Sequence, residues 1–390
     1  MEKTLRNGIV PDFHVPTELF VKENILQEAG SIIRKYGSRV ILITTSADFD
    51  QFHDTIEIIS SNLRKNDIGC IIYDEIPANP NTEYIDSAAY FAKKINCDAI
   101  IGFGGIDSIN SAKAIATLIN NYAFAEELFD IAEIQPPINI ITVPSSPLFG
   151  FEIAPMLFLT DIHSMTKKVY RNRNLFPKVT LVEPQIATTL NDEITAKTAI
   201  SALSIATESV ISKNNNGFIN SLALRAIDLI FKNLPLAYKE PDSVPPRQEL
   251  AVASLMAGLA FTVAELSVSL AISLALSSRL NLDLNLAMGV ILPHIMEYNL
   301  TSSPGRYVQM SKVMDEDVRD ITVIEAAIKA VEGVRKLEID VDIPQRLSHF
   351  EINKSEFSKV AEIAMTYPFL ENAPRPLSRN EIETILIAAF

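Results

Sequence analysis

Cysteine is nearly missing from this sequence: Cys70 and Cys97 stand alone, with no spacing partner. That excludes a disulfide framework and reads as two buried thiols in a reducing cytoplasm. Histidine is equally sparse. The five, His14, His53, His163, His294 and His349, include no i, i+4 pair, and none lies between 163 and 294, so no imidazole metal centre can be built from that span. Each is read as a structural side chain, His294 as a packing or hydrogen-bonding one. Positive charge is also short. The net charge is −14 and no Lys/Arg cluster offsets it, which argues against a nonspecific nucleic-acid surface or an anionic-membrane surface. The stretch Met1–Gly8 has no apolar core of a signal peptide, so a cytoplasmic protein is expected. No internal repeat, low-complexity tract, Ser-His-Asp or Cys-His arrangement can be read.

What is present is apolar mass. Hydrophobic residues make up 48% of the 390 positions and the mean hydropathy is +0.18, enough for sizeable cores and better suited to two domains than one. The stretch Leu250–Ser278 carries a single charge, Glu265, but is rich in Ala and Ser. It reads as a buried helix or helix pair and not as a membrane span. Helical spacing over Phe20–Tyr36, Phe52–Lys65 and Glu83–Ile95 alternates with β-rich runs at Arg39–Thr44, Gly69–Tyr73, Ala99–Gly102 and Ile138–Val143. This predicts an α/β fold, a parallel sheet covered on both faces. Met156–Thr160 and Val179–Val182 are further strand-like runs. From Pro184 onward Ala/Leu/Ser stretches take over at helical period. The expected organisation is an α/β domain over 1–184 and an all-helical domain over 185–390, with Ser378 and Glu381 forming a capping box near the end.

One stretch organises the first half. Asp98–Ala116 reads as strand, tight turn and helix, with Gly102, Gly104 and Gly105 allowing a ligand close to the backbone and the helix N-terminus aimed at it. A phosphate is the usual occupant, although such turns also serve packing alone. Three loops are expected beyond the strand ends: Thr44–Ser46, Gly102–Asp107 and Pro144–Glu152. The candidate nucleotide contacts in them are Thr45, Gly104, Gly105, Asp107, Ser108, Ser145 and Ser146.

The glycine stretch resembles the GGGSxxDxAK signature of the iron-containing (group III) alcohol dehydrogenases, with Gly104, Gly105, Ala112 and Lys113 in place but Ile106, Asp107 and Asn110 at the third glycine, serine and aspartate. Asp107 repels a pyrophosphate and suits a helix N-cap instead. Pro144–Glu152 is similar to the family's PTTxGTGSE, with Leu148, Phe149 and Phe151 replacing small residues; they either crowd the nicotinamide end or fill a vacated cavity. Around Thr45 the family carries an Asp. Its absence weakens NAD, and no arginine is evident for a 2′-phosphate, so NAD or NADP stays a candidate cofactor of weakened standing.

The resemblance also implies a divalent iron or zinc. The family's GMDALTHAIE corresponds to Ala199–Glu208 and its later histidine region to Leu270–Leu274 and Asp283–Pro293, so the ligand positions are Ser201, Ile205, Leu270 and Leu284, with Leu274 at an extra histidine. No metal is expected, because none of these is a ligand and the apolar ones suggest a refilled cavity. Among carboxylates, Glu208, Glu265 and Asp283 remain; Glu265 is taken as a buried acid with either a hydrogen-bonded or a functional role. Lys113 lies on the motif helix, while Lys167 and Lys168 are expected to face solvent. The leading expectation is a family member without metal-dependent dehydrogenase activity, acting as a binding, regulatory or assembly subunit in a homodimer or hetero-oligomer. The alternatives are an NAD(P)-dependent alcohol or aldehyde oxidoreductase with Ser201 or Glu265 near the reacting oxygen, and an enzyme of another class using the cleft.

Overall fold

The computed structural model describes residues 13–131 and 134–390; the reading of Met1–Gly8 lies outside the described residues. Strands β1 (Glu18–Val21), β2 (Arg39–Thr45), β3 (Gly69–Ile76), β4 (Ala99–Gly104), β5 (Asn139–Pro144) and β8 (Val179–Val182) form one parallel sheet in the order β1-β8-β5-β4-β2-β3. Helices α1 (Ala29–Ile33), α2 (Ser46–Gln51), α3 (His53–Lys65), α4 (Thr82–Lys94) and α5 (Ile106–Asn120) connect them. The central strands read as unbroken apolar runs because both faces are covered, and β4 is buried at every position. A two-stranded antiparallel ribbon, β6 (Met156–Thr160) with β7 (Lys167–Arg171), leaves the main sheet.

Beyond Val182 the secondary structure is helical: α6 (Asp192–Ile211), α7 (Gly217–Lys239), α8 (Val244–Ala264), α9 (Val268–Leu280), α10 (Leu284–Asn299), α11 (Pro304–Val313), α12 (Val323–Asp340), α13 (Phe357–Ala364) and α14 (Arg379–Ala388). The Ser378–Glu381 capping box opens α14 as expected. Within Leu250–Ser278, α8 and α9 meet at 101°, and among the described residues no single helix is long and apolar enough to cross a membrane.

Three local expectations are corrected. Phe20 and Val21 are not helical: β1 occupies Glu18–Val21, and helix is confined to Ile25–Ile33. The pairing of Phe20 with Leu181 is a long-range event that overrides local spacing. Thr44–Ser46 is not a loop, since β2 runs through Thr45 and α2 starts at Ser46. Cys97 is buried but Cys70, on the edge strand β3, is only half-buried; both are free thiols, and burial pushes each up to about 11.

Candidate functional site

Strands β2 and β4 are neighbours, yet the chain leaves β2 toward β3 on one side and β4 toward β5 on the other. Such a reversal opens a crevice beyond the strand ends, where ligands of α/β sheets bind. Thr45 ends β2 and caps α2, its Oγ1 accepting the Asp48 N–H at 3.0 Å. Gly104 ends β4 at φ +124 and Gly105 caps α5. The carboxylate of Asp48 lies between the two strand ends. Its Oδ2 accepts from Thr45 Oγ1 at 2.9 Å, from the Gly105 N–H at 3.1 Å and from Ser108 Oγ at 2.8 Å. The Thr45 N–H donates to Ser108 Oγ at 3.0 Å, and the Ser145 N–H to the Gly104 carbonyl at 3.0 Å. Thr45, Gly104, Gly105, Ser108 and Ser145 are thus brought together, with Ser146 following on, partly exposed. Asp48 was not among the expected residues; its spacing of three from a cap-forming Thr at a strand end was the available signal.

Asp107 is not the N-cap. It sits in the first turn of α5, where its Oδ2 accepts the Asn79 N–H at 2.9 Å. Burial pushes its carboxyl above the usual range, opposed by that N–H and by the Lys167 ammonium. Lys167 does not face solvent. It is buried on β7 with Nζ 3.3 Å from Asn79 Oδ1, and desolvation lowers its pKa. Asp107, Asn79, Lys167 and Phe158 line a cleft of about 310 Å³ whose other wall carries Asp283 and Asn285. Asp283 caps α10 and pairs with Lys197 at 3.0 Å. Lys168 instead pairs with Asp161.

The four positions where the resemblance places metal ligands are part of the helical core. Ile205 and Leu270 are fully buried, as is Leu274, and Leu284 is 8% exposed. Ser201 Oγ lies 2.9 Å from both the Lys197 carbonyl and Asn285 Oδ1, so its hydroxyl is already engaged. One neutral hydroxyl and three hydrocarbons do not fit a divalent iron or zinc, which requires imidazole, thiolate or carboxylate donors. Among the described residues no group of three or more His, Cys, Asp or Glu side chains is placed to hold a metal. Leu148, Phe149 and Phe151 of the third loop are buried in the same continuous core, which favours the cavity-filling reading of that loop. Lys113 is buried on α5 and clasps the loop: Nζ donates to the carbonyls of Phe151 and Ala154 at 2.6 and 2.8 Å. Burial pulls Lys113 down and pushes Glu152 up, each to about 7.

Two further expectations change. Glu265 is not a buried acid; it ends α8 in the left-handed conformation, its side chain is 42% exposed, and it pairs with Arg171 at 2.8 Å. It lines a different surface from the cleft, beside His14 and Thr262. Glu208 is a buried acid of this half, held at the start of α9 by the N–H groups of Val268 and Ser269 and the hydroxyls of Ser267 and Ser269. His294 packs without hydrogen bonding, because both ring nitrogens lack a partner among the described residues.

Comparison with known proteins agrees with this architecture. A family model described as iron-containing alcohol dehydrogenase matches residues 16–184, and one described as the C-terminal part of the Fe-containing alcohol dehydrogenase family matches 195–390. The chain is 27% identical to 1,3-propanediol dehydrogenase of Klebsiella pneumoniae over 382 residues, covering 97% of this chain and 98% of that one. It is 22% identical to the NAD-dependent methanol dehydrogenase of Bacillus methanolicus, covering 96% and 98%. The crystal structure of a 1,3-propanediol oxidoreductase superposes with a TM-score of 0.92 at 26% identity, covering 97% of this chain and 99% of that one. With matches spanning both the sheet and the helical half, the chain belongs to the iron-containing alcohol dehydrogenase family.

Proposed function

We propose that this family member does not perform metal-assisted hydride transfer and instead acts as a binding, regulatory or assembly subunit. A single observation carries the reading: the positions that correspond to the family's ligands are filled by Ser201, Ile205, Leu270 and Leu284, packed and hydrogen-bonded as core. A metal in such a site polarises the substrate oxygen and stabilises the developing alkoxide; among the described residues no donor set is placed to retain it. What the body keeps is a polar cleft with two carboxylates, an ammonium and carboxamides, suited to holding a small polar ligand. The same cleft favours a second reading, a metal-free oxidoreductase in which Lys167 and Asp107 move a proton at the substrate oxygen.

The test is elemental analysis of purified protein after exposure to Fe²⁺ or Zn²⁺ and desalting, joined to assays of alcohol oxidation and aldehyde reduction with NAD(H) and NADP(H). The expected result is no stoichiometric metal and no turnover. Stoichiometric metal with turnover that a chelator abolishes overturns the proposal, and metal-free turnover lost in Lys167→Met establishes the second reading.

A further inference from the structure

We propose that Asp48 is a built-in anion that fills the phosphate place of the dinucleotide crevice and so decides which ligands the crevice admits. A pyrophosphate bound at such a switch point needs donors that nothing else satisfies: the first free N–H of the helix after the glycine turn, and hydroxyls around it. Here the Gly105 N–H, Ser108 Oγ and Thr45 Oγ1 all converge on one carboxylate oxygen of the chain itself, at 2.8 to 3.1 Å. The arrangement is close-fitting. A side chain at Gly104 would run into that same oxygen, so the glycine that lets a phosphate approach the backbone gives its room to Asp48.

The carboxylate is also held from behind. Its own N–H is taken by Thr45 Oγ1 at 3.0 Å, and the Thr45 N–H fixes Ser108 Oγ at 3.0 Å, so donors and acceptor form one closed ring across the ends of β2 and β4. A dinucleotide faces two costs at once: it must displace a charge-assisted acceptor from its donors, and its own negative charge meets that of Asp48. Asp107 adds a second carboxylate on the first turn of the same helix. This inference goes beyond the missing metal and does not depend on it, since the crevice lies beyond the C-terminal ends of the interior strands β2 and β4 and not among Ser201, Ile205, Leu270 and Leu284.

Calorimetric titration of the full-length protein with ADP, and with adenosine as the phosphate-free control, tests it. Asp48→Ala vacates the place and is expected to bind ADP about ten-fold more tightly than the unaltered chain or better. Asp48→Asn keeps the shape, removes the charge and is expected to gain about three-fold or more; it keeps the test open if the alanine variant does not fold. Adenosine affinity is expected to stay the same across the three proteins. Equal ADP affinity in all folded proteins, or an equal gain for adenosine, overturns the inference. Metal-dependent turnover by the unaltered chain sinks the proposed function and leaves this comparison intact, whereas absent gain in a metal-free protein sinks only the present inference.

Discussion

Gly150 and Gly258 touch backbone to backbone. Gly150, in the left-handed region at φ +82, lies in the loop after β5, Gly258 lies inside α8, and a methyl group on either would overlap the other's Cα. The Gly150 N–H adds a bond to Ser254 Oγ at 3.2 Å. This contact joins the loop after β5 to the helical half with no room for a side chain on either residue. Gly258→Ala is therefore expected to cost about 3 kcal/mol or more, since neither backbone can yield without moving its element. Urea unfolding measures it; a gain of up to about 1 kcal/mol, as alanine gives at an exposed helix glycine, contradicts the contact.

Asn110 pairs with both backbone groups of Phe158, its Oδ1 accepting the N–H at 2.8 Å and its Nδ2 donating to the carbonyl. An amide does both at any pH, whereas an ionised carboxylate only accepts, which fits asparagine at the place where the family's signature has aspartate. Asn110→Asp should lose about 3 kcal/mol at neutral pH, because the Phe158 carbonyl loses its donor and a charge is buried. The loss should shrink on acidification, as a protonated carboxyl regains a donor. Unfolding curves across pH give the answer, and a flat profile rejects the two-bond pairing.

If the former ligand positions are packed core, truncating them leaves holes. Ile205→Ala and Leu270→Ala, both fully buried, should each cost about 2–5 kcal/mol. Side chains lining an open, hydrated cleft would cost well under 1 kcal/mol, so chemical denaturation separates the two cases directly.

The His294 side chain is only 9% exposed, its ring nitrogens have no hydrogen-bond partner among the described residues, and desolvation, helped by Arg335 and Arg346 and opposed by the Glu297 carboxylate 3.8 Å from Nδ1, lowers its pKa from 6.5 to about 4. Between those values the unfolded chain is protonated at this site and the folded chain is not. Stability is consequently lost as pH falls from 6.5 toward 4, and by pH 5 the loss reaches roughly 2 kcal/mol. His294→Leu should abolish that part of the acid sensitivity while changing stability little at pH 8. Melting curves at the two pH values decide it; an unchanged slope in the variant refutes the assignment.

Much of the architecture was legible because it is written in local periods. The alternation of β-branched runs with helical spacing gave the parallel sheet, and the Ala/Leu/Ser stretches after Pro184 gave helices, since burial on one or both faces leaves its period in the sequence. The edge strand at Glu18–Val21 was not legible, because its partner lies some 160 residues away. Lys167, one of an adjacent lysine pair expected to face solvent, and Glu265, a lone charge in an apolar run, are not legible for a related reason: only the surrounding elements show that the first is enclosed on β7 and the second ends a helix at the surface.

The sequence by itself determined that no histidine stands anywhere from 164 to 293 and that the positions where the resemblance implies ligands carry Ser201, Ile205, Leu270 and Leu284; donor chemistry belongs to single residues and needs no neighbours to be read. Only the tertiary structure decided that Asp48 sits on Gly105, 57 positions away. That meeting depends on β2 and β4 lying side by side in register, so that two strand ends far apart in the chain present their donors to one carboxylate.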